Sequence, residues 1–297
     1  MAMGRTRASM GGSLVSKFAF IPPTPATYRA DDVRFEAIAG GSGHEISIQH
    51  VNKGYATSKR SRSSDLVAIY SHGNAEDLGL NADLITYLAN VAEMEIVAYD
   101  YSGYGPLTNG QVSPNESRAY ANIEAVFDYV HDVIGVPDER IVIIGRSLGT
   151  GPSCQAAIRH PSIAGLVLIS PLASAIKTQL AFTVPGFDIF KNSSKISHVA
   201  APVLIIHGTN DRVVPFAHGE QLAALAPNLY ELVAVDGAGH NDLIDSMGLE
   251  SYFDTIADFV RALPALNASA AAAASNSDLA AVEEVTASSS SFSSRRR

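Results

Sequence analysis

Between residues 66 and 235 the chain repeats one pattern. Short, continuous apolar runs at 66–70, 96–100, 141–144, 166–170, 202–207 and 232–235 are separated by longer segments of mixed polarity. Runs this short, rich in Val and Ile and bounded by turn residues, predict strands buried on both faces. The intervening segments show helical spacing. Tyr120, Ile123, Phe127, Val130 and Ile134 recur every three or four residues, which is one buried helix face. Ser113-Pro114-Asn115-Glu116 predicts the start of that helix, with a capping box and proline at its first position, and Gly135 its end. Further helices are expected over about 81–93, 150–159 and 250–263. Upstream, 33–38 and 45–50 alternate apolar and polar, which predicts a half-exposed hairpin at a sheet edge. Buried strands alternating with amphipathic helices give an α/β fold: a mostly parallel central sheet with helices on both faces.

The pattern fails in three places. Residues 1–30 form a Gly/Ser/Arg-rich leader, expected to be partly disordered and extended through Ile21-Pro22-Pro23-Thr24-Pro25. Residues 171–201, with Phe182, Pro185, Phe187 and Phe190, read as a small cap over the strand ends or as a long crossover. Residues 265–297 are Ala/Ser-rich and expected to be a disordered tail. The main domain is then 31–264.

Composition narrows the function. The chain has 297 residues, 46% hydrophobic, with a net charge of −9. That balance argues against nucleic acid as a partner. There is no run long enough for a membrane span and no pattern of a signal peptide. The single cysteine, Cys154, excludes a disulfide within the chain and reads as a small core residue. No His/Cys/Asp/Glu cluster has metal-ligand spacing, and no glycine pattern fits a dinucleotide or phosphate loop, so no cofactor is expected.

The chemistry begins at Gly145-Arg146-Ser147-Leu148-Gly149, a G-x-S-x-G sequence between a predicted strand and a predicted helix. This is the nucleophile elbow of α/β hydrolases. A serine hydroxyl needs a base to take its proton and an acid to orient that base. These follow in the order Ser, Asp/Glu, His. Asp211, past the 202–207 strand, and His240, in a glycine-rich loop after the last strand, meet that order at strand ends. Asp236 and Asp242 are rival acids; Asp242 reads more simply as a helix cap, and Asp236 lies close to His240 in sequence. His218, at the start of a helix, is expected at the surface. The oxyanion hole is assigned to the backbone N–H groups of Leu148 and Asn74, the latter after the first buried strand. His72 is expected to order that loop and Asp100 the turn after its own strand.

Four stretches go beyond a generic hydrolase: 71–79 around Ser71-His72-Gly73-Asn74, 99–105 around Tyr101-Ser102-Gly103-Tyr104-Gly105, Ile205-Ile206-His207-Gly208-Thr209, and Gly237-Ala238-Gly239-His240-Asn241-Asp242. Together with the leader from Lys17 to Pro23, they resemble the alpha/beta hydrolase domain-containing protein seventeen family of serine-hydrolase protein depalmitoylases. The resemblance runs to about Leu263. It implies a cytosolic enzyme that cleaves palmitoyl thioesters from S-acylated proteins, with Ser147, Asp211 and His240 as nucleophile, acid and base. It also implies peripheral contact with the cytosolic face of the plasma or endosomal membrane. Two departures stand out. Arg146 occupies a position where the family typically has Gln; it either alters substrate preference or points away from the pocket. The N-terminal cysteine cluster that anchors animal members is missing. Met10-Gly11-Gly12-Ser13 resembles the Met-Gly start of cysteine-free relatives, which would permit myristoylation only if translation began at Met10. The same triad serves an esterase or lipase, or a peptidase of similar fold, and the fold also serves ligand receptors or scaffolds with little turnover.

Overall fold

The computed structural model describes residues 20–52, 65–174 and 189–293. An eight-stranded sheet has the order β1-β2-β4-β3-β5-β6-β7-β8. The hairpin of β1 (Glu36–Ala39) and β2 (Glu45–Val51) is antiparallel and joins β4 (Glu95–Tyr99) antiparallel. The remaining strands, β3 (Val67–Ser71), β5 (Ile141–Arg146), β6 (Gly165–Ile169), β7 (Val203–Gly208) and β8 (Leu229–Val235), run parallel with β4.

Alternate residues of each central strand enter opposite cores. Val67, Ile69, Ile141 and Ile143 face one side, packed with α2 (Glu116–Asp128), α3 (Thr150–Arg159) and α4 (Ala217–Leu225). Ala68, Tyr70, Val142 and Ile144 face the other, packed with α1 (Leu78–Val91) and the first half of α5 (Leu249–Ser293). The period-two pleat explains why these runs are apolar throughout. Each fully buried Val, Leu or Ile contributes roughly 1.5–3 kcal/mol.

The connection from β3 leads to β4 on one side, and the connection from β5 leads to β6 on the other. Neighbouring strands whose exits diverge open a crevice at their carboxyl ends, where ligands gather in open α/β sheets. Ser71 pairs with Gly145, so the segments after these two strands leave side by side.

Several expectations need correction. The cap of α2 is Asn115, whose side chain accepts from the Arg118 N–H at 3.0 Å. Pro114 therefore precedes the cap, and Glu116 accepts instead from the Tyr120 hydroxyl at 2.6 Å and the Phe190 N–H at 2.8 Å. The end is as expected: a π-turn at Tyr129–Val133 leads into Gly135 at φ 81°. β8 is largely exposed because it forms the sheet edge, where it has a strand neighbour on one side alone. α5 does not stop at Leu263 but continues through Pro264 to Ser293. An alanine-rich segment with no glycine to terminate it favours helix. In the described part of the leader, Phe20 and Tyr28 are buried, while most of the residues between them are exposed or half-buried. Of the cap segment, 171–174 and 189–201 are seen, the latter with two 3-10 turns at Asn192–Ser194 and Ile196–His198. Phe182, Pro185 and Phe187 lie outside the described residues, as do residues 1–19, with Met10 and Gly11, and the end of the tail at 294–297.

Candidate active site

β5 ends at Arg146, and the chain turns sharply at Ser147, whose φ is 50°. Non-glycine residues hold such a backbone at a cost of ~1–3 kcal/mol, borne where the surroundings fix it. The surroundings here are tight. A β-carbon on Gly145 would sit 2.4 Å from Ser153 Oγ, and one on Gly149 only 2.1 Å from the Ser71 carbonyl oxygen. The two glycines therefore let β3, β5 and α3 close around the serine. Leu148 follows as the second residue of a 3-10 turn, Ser147–Gly149. Amides in a first turn lack an intrahelical acceptor.

Ser147 Oγ lies 2.9 Å from His240 Nε2, and His240 Nδ1 lies 2.6 Å from Asp211 Oδ2. The other Asp211 oxygen accepts from the N–H groups of Val213 and Val214, both at 2.8 Å. His207 Nε2 adds a third approach, 3.3 Å from Asp211 Oδ2. Burial alone would raise the pKa of Asp211. The hydrogen bonds from His207 and His240, the His240 charge and the Val214 N–H outweigh it, holding the carboxyl well below the usual carboxylate range. An ionised carboxylate only accepts. The His240 ring must then carry its proton on Nδ1, leaving Nε2 to accept from the Ser147 hydroxyl.

The structure thus joins three residues that are 29 and 93 positions apart along the chain. It separates them from the rivals. Asp242 accepts from the Gly239 N–H at 2.5 Å and precedes a single-turn helix, Leu243–Met247. Asp236 accepts from the Thr209 hydroxyl at 3.4 Å. His218 is buried, not at the surface; its Nδ1 accepts from the Ala173 N–H at 3.1 Å. Sequence reasoning missed the contribution of His207. Its position four residues before Asp211, at the end of a buried strand, was the available signal.

The loop after β3 carries Asn74. Its neighbour His72 is buried, with Nδ1 2.7 Å from the Gly73 carbonyl oxygen, Nε2 3.3 Å from Asp100 Oδ1, and its ring against Tyr101 and Tyr104. Asp100 also accepts from the Leu78 N–H at 3.0 Å and from the Tyr28 hydroxyl, anchoring both α1 and the leader. The Asn74 side-chain oxygen accepts from the Ile21 N–H and the Tyr104 hydroxyl, each at 2.8 Å. Arg146 does not point into open space. It pairs with Glu76 of the β3 loop and donates to Asn241 of the histidine loop at 2.9 Å. Cys154 is buried in the core, where burial pushes its thiol up to about 12. Among the described residues no group of three or more His, Cys, Asp or Glu is arranged to hold a metal ion, and no helix is long and apolar enough to cross a membrane.

Comparison with known proteins places these features in company. Residues 62–192 match the family described as serine aminopeptidase, S33. The chain is 34% identical over 280 residues to the Caenorhabditis elegans alpha/beta hydrolase domain-containing protein aho-3, covering 87% of this chain and 83% of that protein. It is 32% identical over 276 residues to human alpha/beta hydrolase domain-containing protein 17B, covering 84% of this chain and 91% of that protein. Among solved structures, Est1E from Butyrivibrio proteoclasticus, bound to ferulic acid, superposes with a TM-score of 0.62 at 20% identity, covering 77% of this chain and 99% of that one. The Pyrococcus furiosus esterase Pf2001 gives 0.61 at 19% identity, covering 81% and 98%. These two likenesses concern the fold.

Proposed function

From the premise that the chain belongs to the alpha/beta hydrolase domain-containing protein 17 family, and is an α/β hydrolase of the serine hydrolase type, we propose that it removes fatty-acyl groups from protein cysteines. The single observation that supports this reading most is the continuous hydrogen-bonded path Ser147–His240–Asp211.

In the proposed mechanism the acyl thioester carbonyl approaches Ser147. His240 Nε2 takes the hydroxyl proton as Oγ bonds to the carbonyl carbon. The negative charge that moves onto the carbonyl oxygen is met by the N–H groups of Leu148 and Asn74. Asp211, ionised, stabilises the imidazolium and keeps its ring oriented. The C–S bond then breaks, and His240 returns the proton to the leaving cysteine sulfur. An acyl ester on Ser147 remains. Water repeats the sequence with His240 again as base, releasing the fatty acid and regenerating the serine. A thiolate is a better leaving group than an alkoxide, so the second half should limit turnover. The substrates of this reading are S-acylated proteins met at the cytosolic face of a membrane.

Two assays test it. A fluorophosphonate probe should label the wild-type protein and not Ser147→Ala. Palmitate should be released from an S-palmitoylated peptide with higher kcat/KM than from the matched oxygen ester. Equal or reversed preference replaces the thioesterase reading with an esterase or lipase. Cleavage of a peptide bond indicates a peptidase, and absence of labelling indicates a binding protein.

A further inference from the structure

We propose that the cleft between α1 and the start of α5 houses the fatty acyl chain during turnover, an inference that rests on the acyl-thioester reading above. The cleft measures about 240 Å³. Its walls are apolar: Ile85 and Leu88 from α1, Phe253 and Ile256 from α5, with Tyr70 and Ile169 from the ends of β3 and β6. One end is lined by His240, whose Nε2 lies 2.9 Å from Ser147 Oγ, so the cavity ends one side chain away from the reacting serine.

Two further features select an uncharged chain. Glu76 and Arg146 both line the cleft and neutralise one another, and Arg146 is further held by Asn241. An anionic headgroup entering here would meet a cation already paired. At the outer side, Leu80 and Leu84 are 55% and 41% exposed, one helical turn apart on α1. Single exposed leucines are ordinary, but two adjacent ones beside an apolar cleft form an apolar lip. Apolar walls with a few polar groups at one end are the usual make-up of a small-molecule site.

The rival location is the segment 171–201, read from the sequence as a cap over the strand ends or a long crossover, which carries Phe190. Phe190 does not serve: it is fully buried, with its ring edge-on to Phe20 and Tyr120. It also fills the space above Gly151, where a β-carbon would lie 2.3 Å from the phenylalanine ring.

The test uses the intact protein and a hexadecyl fluorophosphonate bearing a diazirine near the end of its chain. Ser147 Oγ displaces fluoride and fixes the chain; light then cross-links the chain end to whatever surrounds it. The expected result is cross-links on peptides 78–91 and 243–256. Cross-links confined to 171–201, or capture by water alone, overturn the cleft while leaving the serine chemistry intact. No attachment to Ser147 overturns both. As a second measurement, the double variant Leu80→Asp/Leu84→Asp changes exposed positions. Its ratio of labelling rates for hexadecyl over ethyl fluorophosphonate should fall about tenfold. An unchanged ratio contradicts the proposal.

Discussion

Two loops flank Ser147, and they are built differently. The loop after β3 is tied down on several sides: His72 is buried between Tyr101 and Tyr104, Asp100 holds the first turn of α1, and the leader bonds Asn74 through Ile21. The loop after β8 follows an exposed edge strand, and its ties run mostly to the neighbouring loop after β7: the Thr209 hydroxyl to Asp236, the Gly237 N–H to the Thr209 hydroxyl and the Asn210 N–H to the Ala238 carbonyl, with the Gly239 N–H to Asp242 and Arg146 to Asn241 besides. On the proposed mechanism the division makes sense. Backbone donors to a developing oxyanion must be fixed before reaction begins. A base that takes and returns a proton needs a defined ring orientation, which Asp211 supplies directly. One side is tied to the leader and to the turn after β4, the other to the loop that carries Asp211.

The comparison can be broken most severely on the histidine side. Ser147→Ala or His240→Ala should lower kcat by ~10⁴-fold or more, and Asp211→Asn by about 10³–10⁴-fold, measured on a palmitoyl thioester with melting temperature as a folding control. A loss below tenfold for Asp211→Asn would mean that His240 is oriented by something else. On the other side, Asn74→Ala removes the acceptor shared by Ile21 and Tyr104 and should cost roughly 10–100-fold in kcat with little change in KM. Tyr104→Phe, which removes one of those bonds, should cost less, about five-fold. If the two variants behave alike, the ties to the leader do not position the loop.

The acid response sharpens the contrast. Because the Asp211 carboxyl is held below the usual range, its ionisation stabilises the fold fully above the ordinary carboxylate pKa of 3.8, and that stabilisation is lost as pH falls below it. Wild-type stability should therefore decline more steeply than that of Asp211→Asn below about pH 4. Parallel curves would show that the carboxyl is not preferentially ionised in the folded state. The smallest effect belongs to Arg146, which bridges the two loops. Its pair with Glu76 is about one-fifth exposed, and such pairs are worth ~0.2–1 kcal/mol, so Arg146→Gln should change kcat/KM less than about five-fold. A larger loss would make the bridge part of the site's positioning.

The central sheet was legible because burial on both faces writes itself into the sequence as unbroken apolar runs. Ser147, Asp211 and His240 could be named because each follows such a run in the required order. What stayed hidden depends on tertiary placement. The exposure of β8 follows from its edge position, which periodicity does not reveal. The burial of His218 depends on the arrival of Ala173 from another segment. The anchoring of the leader at residues 27 and 23 could not be inferred, because its partners Asp77 and Asn109 lie 50 and 86 positions away. The extension of α5 reflects local alanine propensity, which an Ala/Ser-rich composition does not distinguish from disorder. Arg146 could be noticed as unusual, but its partners on two loops could not be inferred.

The proposed covalent step can be observed directly. The protein is mixed with an S-palmitoylated peptide, quenched in acid within the first turnovers, digested and analysed by mass spectrometry. The account predicts one palmitoyl group on the peptide containing Ser147, formed no later than free peptide thiol and decaying as palmitate appears. Release of thiol and palmitate with Ser147 never acylated, at times short enough to capture the intermediate, would contradict it.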